Sequence, residues 1–395
     1  MLKFKTIDWC CVCDGPVEEI INLPKLPLTG VYSNIGEIID FPKLDQSLML
    51  CSTCSHAQLK HIIDPTELYG YNYGFRTSSS ETATRSVLYF YDFISRTLPE
   101  NRLSRVLEFG CNDAVLLKLL AKRSDRLLGV DPILKGRERE FEQDGISVIG
   151  ALVEDVDICE KLGGRPDLIV CQHTLEHLED PRKTLEKLLQ VATQETVFVF
   201  EFPSLDLLLA QRRFDRIFHQ HTQYFSLESA IRLIRNSGCE IIQHTFNHLY
   251  WGSLIISFKK CSVGNLHFDL LSNKDIAPNK INVGYGVYKS EMKIASDFIS
   301  STEKHNLYGY GAALMLPILG YHLENNFSSF NSIFDDDENK DGLGYANLPV
   351  KIAHPREFDF TEATIFLTAL DNRRSIIRKL YNLSPRLIFN PLSMI

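Results

Sequence analysis

No apolar run in this 395-residue chain approaches the roughly 20 residues that span a bilayer. Its first residues, MLKFKTIDWCC, lack the apolar core of a secretory signal. An excess of basic residues is also missing. The formal net charge of −8 argues against a general nucleic-acid or anionic-membrane surface. These absences lead us to expect a soluble cytoplasmic protein with no nucleic-acid or membrane partner, a monomer or weak dimer. What is present suffices for ordinary cores: 44% of the residues are hydrophobic. At about 100–200 residues per domain, the length predicts two or three domains.

Ten cysteines in a small exported chain would suggest disulfides, but this chain is large and shows no export signal. Four of them form Cys10-x-x-Cys13 and Cys51-x-x-Cys54. Each C-x-x-C places two thiolates on one turn, and two such turns complete a tetrahedral zinc site. Four thiolates leave no open coordination position, so the expected metal is structural. A redox C-x-x-C is the rival, but it leaves the second copy unexplained. Cys11 is a bystander to this set, and the other five cysteines are expected to be buried thiols.

The middle of the chain alternates strands and helices, the pattern of a mostly parallel sheet covered on both faces. RVLEF at Arg105 to Phe109, LLGVD at Leu127 to Asp131, SVIGA, DLIVC and TVFVFEFP read as strands. LLKLLAKR and RKTLEKLLQVA between them carry apolar residues at helical spacing. A ligand of such a doubly wound domain binds at the carboxyl ends of its strands. Glu108 and Gly110 open the first loop, and Asp131 ends the next strand, placed to accept hydrogen bonds from ribose hydroxyls. A pyrophosphate would want G-x-G-x-x-G here. Asn112 stands where the second glycine would be, and Asp113 adds negative charge. Both features suit S-adenosylmethionine, which has no phosphate and carries a cationic sulfonium. A bare strand-to-helix turn is the alternative.

FDRIFHQHTQYFS, from Phe214 to Ser226, places His219 and His221 on either side of Gln220. Imidazole is the side chain best suited to move a proton near neutral pH. In an extended segment the two histidines would share a face, whereas in a helix they would diverge. H-x-H alone supplies only two metal ligands, and a pair of hydrogen-bonded structural histidines is the plain alternative. His177, in CQHTLEHLEDP after the strand DLIVC, lies on the side where cofactor and substrate should meet. Its neighbours Glu176 and Asp180 could simply begin a helix with Pro181 in the first turn.

The double C-x-x-C, LEFGCND, VDP, HTLEHLED, EFPSL, FDRIFHQHTQYFSL and WGSL occur in that order. Together they resemble the zinc-containing sugar C-methyltransferases, which act on nucleotide-linked 4-keto-6-deoxyhexoses. The resemblance implies a zinc module at 1–66, a doubly wound class I methyltransferase domain at 67–267, and a Rossmann-like α/β domain at 268–395. It implies His221 as the base that forms an enolate beside a keto group, with His219 and His177 at the substrate. It also places a catalytic tyrosine in GYNYGFRTSSS, where Tyr73 and Phe75 compete for the position. The expected cofactor residues are Glu108, Gly110, Asn112, Asp131, Glu154 and His173. Phe218 and Gln220 depart from the family, where tyrosine and glutamate are usual. Gln220 can hydrogen-bond but cannot take a proton. Ala114 replaces a loop glycine, a change that a helix start is expected to tolerate.

The C-terminal part carries Gly309, Gly311 and carboxylates at Asp335 to Asp337, a partial dinucleotide pattern without a third glycine. Three alternatives to C-methylation therefore stand: O-methylation of a nucleotide sugar, an NAD-linked oxidoreductase, and a noncatalytic protein on a methyltransferase scaffold.

Overall fold

The computed structural model describes residues 2–34, 42–64, 68, 76–98, 102–261 and 276–392. Tyr73 and Phe75 lie outside the described residues.

The N-terminal segment supplies β1 (Phe4–Thr6), β2 (Val17–Pro27), β3 (Tyr32–Asn34), β4 (Lys43–Cys51), β5 (Ala57–Leu59) and β6 (His61–Ile63). The central unit opens with α1 (Glu81–Thr97), capped by the Ser80 side chain accepting from the Ala83 N–H. Then come β7 (Leu103–Phe109), α2 (Val115–Leu120), β8 (Ser124–Val130) and β9 (Ser147–Ile149). They are followed by α3 (Ile158–Leu162), β10 (Leu168–Gln172), α4 (Pro181–Val191), β11 (Val197–Pro203) and α5 (Leu205–Ala210). The short β12 (Gln223–Tyr224), α6 (Leu227–Asn236), β13 (Cys239–Asn247) and β14 (Ser253–Lys260) complete it.

The seven-stranded sheet runs β13-β14-β11-β10-β7-β8-β9. Strands β11 to β9 are parallel, and β14 and β13 add an antiparallel hairpin at one edge. β10 is almost wholly buried, as a central parallel strand covered on both faces must be. The order reverses between β7 and β10, so a crevice opens beyond their carboxyl ends. α4 begins there because Pro181 occupies its first turn and Asp180 accepts from the Lys183 N–H at 3.2 Å.

The C-terminal unit has α7 (Pro278–Ser301), β15 (Leu307–Tyr310), α8 (Leu316–Leu323), β16 (Ile333–Phe334), β17 (Leu343–Tyr345), β18 (Leu348–Ala353), β19 (Thr364–Leu367), α9 (Arg373–Leu383) and β20 (Leu387–Phe389). Its sheet runs β20-β19-β15-β16-β18-β17-β3. Strand pairing therefore crosses the domain limits expected from sequence. β3, from the N-terminal segment, pairs with β17, while β12, from the central unit, pairs with β5. One hydrophobic core joins the segments, with Ile21 and Leu48 packed into the same cluster as Phe214, Tyr288 and Phe327. Among the described residues, no helix is long and apolar enough to cross a membrane.

Candidate functional site

The loop after β7 is held by its backbone. Gly110 has φ 68°, and a Cβ there would fall 1.8 Å from the Thr174 hydroxyl, so only glycine fits. Asn112 and Ala114 also have left-handed backbones, at φ 46° and 59°. Asparagine tolerates this region, but alanine in it is strained by about 1–2 kcal/mol. Ala114 is thus not the undemanding helix start that the sequence suggested. Asp131, just past β8, accepts from the Asn112 N–H at 2.8 Å and from the Ile133 N–H at 3.0 Å. Each carboxylate oxygen keeps further acceptor capacity. Burial raises the Asp131 pKa, while the two backbone N–H groups pull against it.

Glu108 is buried beneath this loop, and its Oε2 has no hydrogen-bond partner among the described residues. Burial first, then the charges of Asp131 and Asp113, push its pKa well above the usual carboxylate range. Asp113 accepts from the Ser78 N–H at 3.0 Å, tying the loop to the segment before α1. The carboxylates of Asp131 and Asp113 beside this loop repel a pyrophosphate and favour a cationic ligand, whose charge would also draw Glu108 toward its ionised form. The residues therefore fit S-adenosylmethionine. The C-terminal loop fits a dinucleotide less well. A Cβ at Gly311 would lie 2.2 Å from that of Ala369, so packing accounts for this glycine. Asp335 accepts from the Ala312 N–H at 2.7 Å and pairs with Lys340 at 3.2 Å.

Glu154 follows β9 and accepts from the Thr184 hydroxyl of α4. His173 follows β10 with φ 51°, and its imidazole lies between two buried carboxylates. Its Nδ1 is 3.4 Å from Glu176 Oε1, and its Nε2 is 4.0 Å from Glu201 Oε1. Burial opposes the imidazolium, but Glu176 and Glu201 outweigh it and raise the pKa. Glu201 also accepts from Asn247 and Gln172, at 2.8 and 2.6 Å. The structure thus sets His173 in a polar chain leading to His177.

His177 Nδ1 meets the Gln220 carbonyl at 2.6 Å, which places the proton on that nitrogen. Its ring lies edge-on to His221 at 4.9 Å. His221 is buried, with the rings of Phe218 and Trp251 at 4.3 and 5.1 Å. Burial, followed by the charges of His177, His173 and Arg216, holds its pKa well below that of a free imidazole. His221 is therefore neutral at physiological pH, the form that accepts a proton. A small cavity opens beside it, walled by Arg216, Tyr224 and Trp251.

His219 and His221 do not share a face. The segment is a turn, and regular pairing begins only at Gln223. His219 points into the N-terminal segment, where Nε2 donates to the Leu26 carbonyl at 3.0 Å and Nδ1 accepts from Gln46 at 3.3 Å. With both nitrogens engaged, it bolts the segment down. The Gln220 side chain also turns that way, accepting from the Thr29 hydroxyl at 3.4 Å.

Burial lowers the His219 pKa to about 4. A depressed pKa gives stability that is complete above the unfolded value and lost as pH falls toward the folded one. Between pH 7 and 5 this amounts to about 2 kcal/mol. The stability difference between wild type and His219→Gln should shrink by that amount in urea titrations over this range. A constant difference would show that His219 is not held neutral.

Sequence reasoning missed the frame around His221. Arg216 lies 5.2 Å over the Trp251 ring and donates to the Trp251 carbonyl. Asp371, beyond β19, binds Arg216 at 2.6 Å and Arg213 at 2.8 Å. The C-terminal unit thereby braces the wall of the His221 pocket. Glu201 and Trp251 lay within the quoted motifs EFPSL and WGSL, but Asp371 had no local signal.

The four paired cysteines also converge. Cys10 and Cys54 Sγ are 3.5 Å apart, as are Cys13 and Cys51, and all four lie within 4.8 Å of one another. With zinc–sulfur bonds of about 2.3 Å, a tetrahedron has edges of about 3.8 Å, so the donor set fits zinc. The Val12 and Thr53 N–H groups point at Cys10 and Cys51 Sγ, each at 3.4 Å, and would support thiolates.

Residues 83–244 match the family model described as a methyltransferase domain. C-methyltransferase NovU of Streptomyces niveus is 26% identical over 261 residues, covering 64% of this chain and 60% of that enzyme. The ubiquinone biosynthesis O-methyltransferase of Pseudomonas aeruginosa is 27% identical over 85 residues, 20% of this chain and 36% of that enzyme. The chain thus spans 60% or less of the length of these relatives. Among solved structures, the N-methyltransferase NodS of Bradyrhizobium japonicum with S-adenosylhomocysteine aligns with a TM-score of 0.36 and 16% identity. That alignment covers 46% of this chain and 89% of NodS. The central unit is a methyltransferase domain of the doubly wound, class I kind.

Proposed function

We propose that the protein is an S-adenosylmethionine-dependent C-methyltransferase acting on a nucleotide-linked keto-deoxysugar. The observation that carries this reading is the neutral, buried His221 beside His177, on the carboxyl-end side of the sheet that also holds the acidic Gly110 loop. The likeness to a C-methyltransferase over 64% of the chain supports it, as does the ordered set of sugar-methyltransferase motifs. When bound, S-adenosylmethionine supplies the electrophilic methyl group that the substrate carbon accepts. Asp131 would hold the ribose hydroxyls, with Glu108 and Asn112 lining the same loop.

His221 takes the proton from the carbon beside the keto group as that C–H bond breaks, leaving an enolate on the sugar. His177, its Nδ1 proton committed to the Gln220 carbonyl, stands beside His221 and orients the substrate. Phe218, Trp251 and Tyr224 keep water from His221. Cys10, Cys13, Cys51 and Cys54 hold a structural zinc in this reading. It braces β4 and β5, and β5 in turn pairs with β12 next to the histidine segment.

Asp131→Ala should weaken S-adenosylmethionine binding by about 1.5–3 kcal/mol, the worth of hydrogen bonds to a charged acceptor. Calorimetry checks this, with NADH as the competing ligand. Binding of NADH without binding of S-adenosylmethionine would replace methyl transfer by the oxidoreductase reading.

A further inference from the structure

We infer that Glu176, His177 and His221 form a binding site for a divalent transition-metal cation. The site lies in the pocket of the proposed function, but methyl transfer to an enolate does not call for it. One ligand atom from each residue lies within 4.8 Å of the other two. Metal–ligand bonds of about 2.0–2.2 Å require separations near 3.4 Å in a tetrahedral site, so side-chain shifts of about 1 Å close it.

Each ligand is prepared independently. The hydrogen bond from His177 Nδ1 to the Gln220 carbonyl fixes the tautomer that makes Nε2 the metal ligand. Nε2 already lies 3.9 Å from Glu176 Oε1. Glu176 is 1% exposed, and its Oε2 has no hydrogen-bond partner among the described residues. A buried carboxylate oxygen left so is costly, and a cation would satisfy it. His173, 3.4 Å from Oε1, steers the carboxylate from behind, as an outer partner of a metal ligand does. His221 completes the set, its ring packed against Phe218 and Trp251.

Two imidazoles and one carboxylate select zinc, cobalt, nickel or ferrous iron over calcium or magnesium, and they leave coordination positions open. Such a cation would occupy the lone pair with which His221 accepts a proton. Excess cation therefore inhibits methyl transfer.

The test uses the full-length protein with its cysteine site already filled with zinc. Titration with Co2+ should show uptake of one further equivalent, with visible d–d bands and no thiolate charge-transfer band. Glu176→Gln and His177→Asn should each abolish that uptake while the zinc content and the melting temperature without cobalt stay at wild-type values. No uptake beyond the cysteine site would overturn the inference, as would uptake that neither substitution changes. If a substitution lowers the melting temperature, Co2+ protection of His221 from diethyl pyrocarbonate in the wild-type protein replaces it. Equal modification with and without cobalt then overturns the inference. An activity assay separates this inference from the base assignment. Inhibition by excess Zn2+, reversed by a chelator, is expected. Stimulation would keep the cation site and remove His221 from the role of base.

Discussion

His221→Ala should lower turnover by about 10²–10⁴-fold, the usual worth of a positioned acid or base. Its affinity for S-adenosylmethionine should stay at the wild-type value, because the Gly110 loop and Asp131 are held by their own backbone contacts. The removed ring touches His177, Phe218 and Trp251, so the cavity it leaves has a stability cost of its own. His221→Gln, which fills more of that space without restoring a base, separates the two effects. Both variants should lose turnover, and the glutamine variant should recover the melting temperature. Turnover by either variant at the wild-type rate would remove His221 from the mechanism.

Cys51→Ser should cost the protein its zinc and most of its soluble yield. A structural zinc contributes about 10–16 kcal/mol in isolated zinc-binding domains, as much as or more than the roughly 5–15 kcal/mol net stability of a folded protein. Damage should also spread beyond the metal. Cys51 ends β4, the next strand β5 pairs with β12, and His56 lies 2.9 Å from Gln223. Any soluble fraction should therefore be less active as well as less stable. Metal analysis and thermal melting check this outcome. A zinc-free wild-type protein, purified without chelator, would dispose of the zinc assignment.

The parallel strands were legible because RVLEF, LLGVD and DLIVC are short apolar runs closed by loop residues, and each forms where expected. The cysteine tetrad was legible for a related reason, since spacing alone brings thiols together within a turn. The disposition of His219 was not. Its partners Leu26 and Gln46 lie 193 and 173 residues away, and alternation with period two means nothing in a turn. The strand pairing that crosses the expected domain limits was equally hidden. Tyr32–Asn34 and Gln223–Tyr224 are too short to reveal which sheet they join, and long-range pairing decided both. Ala114 shows that a residue type permitted at helix starts can still occupy a left-handed backbone when the preceding loop demands it. Glu176 looked like part of a helix start, yet it stands between three imidazoles.

The most direct test of the account follows both the methyl group and the proton it displaces. The protein is given methyl-labelled S-adenosylmethionine and a panel of nucleotide-linked keto-deoxysugars deuterated beside the ketone, and the products are weighed by mass spectrometry. The account predicts a product that gains the labelled methyl on carbon and loses the deuterium at that position. It also predicts that His221→Ala abolishes both changes. A product methylated on oxygen with its deuterium retained would contradict it, as would methyl transfer and washout that persist without His221.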